Sequence, residues 1–182
     1  ISIPITKATL PRFELLSSEL RELLASGMIT NYHYVRQFEE ALQHYLGVRQ
    51  VIAVSSCTAG MMLVMKALEL TGEVIVPSFT FSATGHAILW NGLRPRFVEI
   101  NPATLTIDPQ KVREAITPQT SAILGTHIFG CPAAVQELEE LAQEHNLKLI
   151  FDAAHALGSK VGTRMIGGFG EAEIFSCSPT KL

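Results

Sequence analysis

From Val51 onward, short β-branched apolar runs alternate with stretches long enough for helices, and this alternation restricts the fold more than any other feature. The runs fall at 51–54, 73–76, 96–100, 121–124, 148–151 and 173–177, with helix-length segments at 59–70, 80–91, 108–116 and 133–145. Strands joined by helices of this length build βαβ units, so we expect an α/β fold, a mainly parallel sheet covered by helices on both faces. Asp108 and Pro109 supply an N-cap and a first helical residue for the third of these helices, and Pro118 closes it. The preceding part reads as helical. Phe13, Leu16, Leu20, Leu23 and Leu24 form one stripe ending at Gly27, and Val35, Phe38, Leu42, Tyr45 and Leu46 form another ending at Gly47. The sequence divides into an N-terminal helical segment, 1–50, and a sheet-containing domain, 51–182.

The chain has 182 residues, 47% of them hydrophobic, enough for a sizeable core without disulfides or a structural metal. A net charge of −3 without basic runs gives no electrostatic footprint for nucleic acid or an anionic membrane. No segment approaches the ~20 apolar residues of a bilayer span, and the first ten residues lack the pattern of a secretory leader. Cys57, Cys131 and Cys177 are widely spaced with no C-x-x-C pair, which fits reduced thiols in the cytoplasm and no metal site.

In open α/β sheets, ligands gather at the carboxyl ends of strands. After the first run, Ser55, Ser56, Cys57, Thr58, Ala59 and Gly60 open a helix whose N–H groups and dipole suit a phosphate, although an N-cap explains the same residues. Asp152 ends an apolar strand and needs a cation, a donor or a capping contact, because a carboxylate buried alone is costly. Ser176, Thr180 and Lys181 follow the last run, and a lysine in a partly apolar site can act as an amine nucleophile. Phe79 and Phe81 offer aromatic faces at the same edge, or fill core; an isolated His127 reads as hydrogen-bonded structure. Neither G-x-G-x-x-G, nor the P-loop spacing, nor G-x-S-x-G occurs. Pyridoxal 5'-phosphate would use these places together: a lysine for its Schiff base, a carboxylate for its pyridine nitrogen, a phosphate cradle and a ring to stack on.

In order and spacing, several segments resemble the DegT/StrS-type sugar aminotransferases, which have the aspartate-aminotransferase-like fold of type I pyridoxal-phosphate enzymes. They are 27–31, 38–41, 74–84, 107–109, 126–130, 152–158, 175–176 and 180–181. The resemblance implies that Lys181 forms the Schiff base and then moves a proton between the substrate carbon and the cofactor. It implies that Asp152 pairs with the pyridine nitrogen, that Thr58, the N–H of Ala59 and Ser176 hold the phosphate, and that Phe81 stacks on the ring. His155 matches a polar residue near the cofactor's phenolic oxygen. The family often has Gly where this chain has Cys57, Tyr where it has Phe129, His where it has Ser178, and Gly-Pro where it has Tyr32-His33.

The implied activity is transfer of an amino group from an amino acid donor, L-glutamate, to a keto group of a nucleotide-linked sugar, in a homodimer. Such enzymes are roughly twice this length, so the expectation is a large domain ending just after the lysine, without the C-terminal small domain. The alternatives are a truncated or degenerate non-catalytic domain, or a related pyridoxal-phosphate sugar dehydratase, which has histidine where this chain has Lys181.

Overall fold

The computed structural model describes residues 7–181; Leu182 and the first six residues of the stretch read for a leader lie outside the described residues. The chain falls into two compact units, one running through Ala53 and joined by the stretch from Cys177, the other Val54–Ser176.

In the first unit a short 3-10 turn, Phe13–Leu15, precedes α1 (Ser17–Ser26), and α2 (His33–Leu46) follows. Gly27 and Gly47 end the two helices with φ of 69° and 68°, a left-handed conformation that costs glycine nothing because it has no Cβ. The strand expected at 51–54 is absent. Ala53 donates its N–H to Glu39 Oε1 at 2.7 Å rather than to a neighbouring strand, and Ile52 is 75% exposed. An apolar run whose backbone donor is taken by a side chain forms no ladder there.

The second unit begins with α3 (Cys57–Ala67) and continues through β1 (Glu73–Pro77), α4 (Ser82–Trp90), β2 (Arg94–Val98), α5 (Pro109–Ala115) and β3 (Thr120–Thr126). Then come α6 (Val135–Glu144), β4 (Lys148–Asp152), the short strands β5 (Lys160–Val161) and β6 (Arg164–Met165), and β7 (Ala172–Ile174). Five strands form one parallel sheet in the order β2-β1-β3-β4-β7, and β5 and β6 pair as a small antiparallel hairpin within the glycine-rich connection. The α/β expectation holds, with boundaries shifted by a few residues. The run expected at 96–100 starts at Arg94 and stops at Val98, because Ile100 bridges instead to Ile107. β7 stops at Ile174, the partner of Asp152, where β4 itself ends.

Side-chain alternation sends each strand's residues into two cores. Ile75, Ile123, Leu149 and Phe151 pack with Val112 and Ala115 of α5 and Leu138 and Leu141 of α6. Val74, Val76, Ala122, Leu124, Ile150 and Ile174 pack on the opposite face with Met61 and Met65 of α3 and Ala87 and Ile88 of α4. Burial on both faces is why these strands read as continuous apolar runs. Among the described residues no helix is long and apolar enough to cross a membrane.

Candidate active site

β1 and β3 are adjacent, yet the chain leaves β1 towards α4 on one face and β3 towards α6 on the other. This is a topological switch point, and in open α/β sheets ligands bind at the carboxyl ends of the strands at such a point. Thr126 and Asp152, paired in register, end β3 and β4 there.

Asp152 is only 4% exposed, and both carboxylate oxygens have donors. Oδ2 accepts the Thr84 hydroxyl at 2.8 Å and Oδ1 accepts the Ala154 N–H at 3.1 Å. The second contact is a local turn bond of the kind Asp makes at a cap. The first comes from α4, 68 residues earlier. Thr84 is fully buried, and its oxygen lies 2.8 Å from that of Thr80, which is 3.2 Å from Thr126 Oγ1. None of these threonines was singled out as a candidate from the sequence. Thr80 precedes α4 and Thr84 lies in its first turn, so their spacing of four residues hints at a local pairing but not at the contact with Asp152.

At the start of α3 the Ser56 side chain accepts the Ala59 N–H at 3.1 Å, so the capping explanation applies to Ser56 and the Ala59 donor is engaged by it. Thr58 is half-buried in the same first turn. The Cys57 thiol donates to the Ile174 carbonyl at 3.7 Å, tying this helix start to the end of β7, two residues before the half-buried Ser176. A Cβ at Gly60 would lie 3.0 Å from Ile174 Cγ2, so the close approach of helix to strand leaves little room for a side chain there.

Phe81, which precedes α4, is exposed. Phe129 meets Phe79 edge-on at 6.2 Å and lies parallel to the His155 ring at 5.7 Å. The Phe129 N–H donates to His155 Nδ1 at 3.3 Å, which leaves the proton of the neutral ring on Nε2. Phe129 has φ of 51°, a strained backbone for a bulky residue, of the kind that clusters at functional sites.

His127 is structural, as the sequence suggested. Its Nδ1 accepts the Ala133 N–H at 2.9 Å, its Nε2 lies 3.2 Å from Glu173 Oε1, and its ring stacks on Phe151 at 4.6 Å. Lys181 belongs to the first unit, exposed in a turn where its backbone N–H donates to the Ser178 carbonyl at 2.9 Å.

Residues 14–182 match the model of the DegT/DnrJ/EryC1/StrS aminotransferase family. The chain belongs to this family. A curated relative from Escherichia coli, dTDP-4-amino-4,6-dideoxy-D-glucose transaminase, is 40% identical over 160 residues, 86% of this chain and 43% of that protein. Among solved structures, DesI in the presence of its TDP-sugar product superposes with a TM-score of 0.92 at 45% identity, covering 96% of this chain and 45% of that one. NtdA of Bacillus subtilis with bound cofactor PMP superposes at 0.78 with 39% identity, covering 84% and 38%. The α/β architecture is thus the fold type I architecture of these aminotransferases, and the chain spans less than half the length of these family members.

Proposed function

We propose that this chain is the cofactor-binding part of a pyridoxal-phosphate-dependent aminotransferase, moving an amino group from L-glutamate to a keto group of a nucleotide-linked sugar. The observation that carries it is Asp152, a buried carboxylate at a parallel-sheet switch point whose described contacts are a hydroxyl and a backbone N–H. Each contact uses one lone pair of an oxygen that has two, so a carboxylate held this way can still accept a ring N–H. The donor set of the Val54–Ser176 unit therefore fits the cofactor, with a helix N-terminus and hydroxyls for a dianion beside an acid for a protonated pyridine.

When bound, the cofactor supplies an electron sink for the carbanion formed on loss of the substrate proton. Asp152 would accept from the ring nitrogen and hold the proton there. Thr58, Ser176 and the first-turn N–H groups of α3 would bind the phosphate, which would share the Ala59 N–H now accepted by Ser56 Oγ. Phe81 would stack on the cofactor ring, and His155, whose ring is oriented by Phe129, would donate to the phenolic oxygen. Lys181 Nζ would hold the cofactor through its Schiff base and would carry the proton at the substrate carbon. Its presence favours amino transfer over the dehydratase alternative.

A nucleotide-linked sugar acceptor is supported by the name of the Escherichia coli relative and by the TDP-sugar in the DesI structure. Residues 51–182 act as the large domain, 1–50 as a helical segment preceding it, and the natural assembly is a homodimer in the cytoplasm. The exposed apolar stripe of Phe13, Leu20 and Leu24 supports self-association.

The test is a half-reaction. The protein at its natural length, loaded with cofactor and given L-glutamate without acceptor, should release 2-oxoglutarate stoichiometrically with the bound cofactor. Binding of cofactor without keto-acid release from any amino acid would overturn the reading.

A further inference from the structure

We propose that Thr126, Thr80 and Thr84 form a one-way series of hydroxyls that positions the Asp152 carboxylate, making Thr84 a positioning residue for the reaction. The inference rests on the reading that Asp152 meets the pyridine nitrogen. A carboxylate only accepts hydrogen bonds, so the single Thr84 proton goes to Oδ2, at 2.8 Å. Thr84 must then accept in its 2.8 Å contact with Thr80, which makes Thr80 the donor. With its one proton spent, Thr80 must accept across the 3.2 Å contact with Thr126. The charge at one end fixes the direction of all three bonds, and hydroxyls linked in this sense polarise one another towards the acid.

The scaffold holds the series in place. Thr84 lies in α4, Thr126 pairs in register with Asp152, and Thr80 bridges helix and strand from the β1–α4 connection. Thr84 and Thr126 are buried, so water competes little for these bonds. The Ala154 N–H fixes the other oxygen, and the two contacts together define the carboxylate plane. Orientation matters because a hydrogen bond to a ring nitrogen weakens steeply as it leaves that plane.

The test compares Thr84→Val, Thr84→Ser, Thr80→Val and the Thr84→Val/Thr80→Val double variant in the cofactor-loaded protein. Three quantities are read: cofactor dissociation constant, kcat, and the pH at which 15N-labelled pyridoxal phosphate loses its ring proton. Thr84→Val should lower kcat by about tenfold to a hundredfold, the scale of a hydrogen bond to a charged group. The ring should lose its proton at a pH about one unit lower or more. Thr84→Ser, which keeps the hydroxyl, should restore both. Thr80→Val should have a smaller effect alone and none in the Thr84→Val background, since its influence passes through that oxygen. Unchanged ring titration and kcat in Thr84→Val, or additive effects of the two substitutions, would overturn the proposal while leaving the aminotransferase reading intact. A wild-type protein that takes up no cofactor would overturn both. Should Thr84→Val not fold, Thr80→Val against wild type decides: an unchanged ring titration overturns the series.

Discussion

Two buried acids sit one residue apart in the register of neighbouring strands, on opposite faces of the sheet: Asp152 pairs with Ile174, and Phe151 pairs with Glu173. Asp152 ends its strand, with a donor on each oxygen and threonines beside it. Glu173 lies within β7 with its side chain fully buried. Oε1 meets His127, and Oε2 has no hydrogen-bond partner among the described residues. The His127 ring is fixed in turn by the Ala133 N–H and by stacking on Phe151. Burial of a carboxylate thus separates two roles. At the sheet's carboxyl edge it has a donor on each oxygen and borders a row of hydroxyls, and on the opposite face it meets a histidine held within the packing.

The sharpest way to break this comparison is to neutralise each acid's surroundings and ask whether activity or stability responds. Asp152→Asn should lower kcat by about a hundredfold to several-thousandfold, as expected for removing one member of a buried charge pair. Its stability in urea should change by no more than about 1 kcal/mol, because the three hydroxyls can reverse and accept from the new amide. A large loss of stability would place Asp152 in the same class as Glu173.

The reciprocal substitution is His127→Leu. It strands the Glu173 carboxylate and the Ala133 N–H, and should cost about 3–5 kcal/mol of unfolding free energy in a urea titration. Unchanged stability would mean that the His127–Glu173 contact carries little.

A smaller effect sharpens the same contrast. A Cβ at Gly125 would fall 2.7 Å from Cε1 of Phe151, the ring on which His127 stacks, so Gly125→Ala should cost about 1–3 kcal/mol through overpacking. The cofactor affinity of the folded fraction should stay unchanged, since the disturbed face is the one without Asp152.

The parallel sheet was legible because strands buried on both faces leave continuous apolar runs at 73–76, 121–124 and 148–151. The run at 51–54 has the same composition and fails as a strand because Glu39, fourteen residues upstream, takes its backbone donor. Side-chain competition of that kind leaves no local trace. Asp152 was legible as an acid ending an apolar strand, and its need for a donor followed from electrostatics. That the donor is Thr84 was not, because a threonine near the start of an apolar helix reads as neutral filler until the fold brings its hydroxyl to the end of β4. The engagement of Ala59 by Ser56 is likewise a three-residue capping contact, readable locally, that competes with the phosphate reading at the same position. Glu173 escaped notice because only the register with Phe151 shows that it faces inward.

The most direct measurement is to incubate the natural-length protein with pyridoxal phosphate, reduce it with borohydride and map the labelled peptide. Label should be confined to Lys181 and vanish in Lys181→Ala. No label, or label spread evenly over Lys66, Lys111, Lys148 and Lys160, would contradict the assignment of this chain as the cofactor-binding part of an aminotransferase.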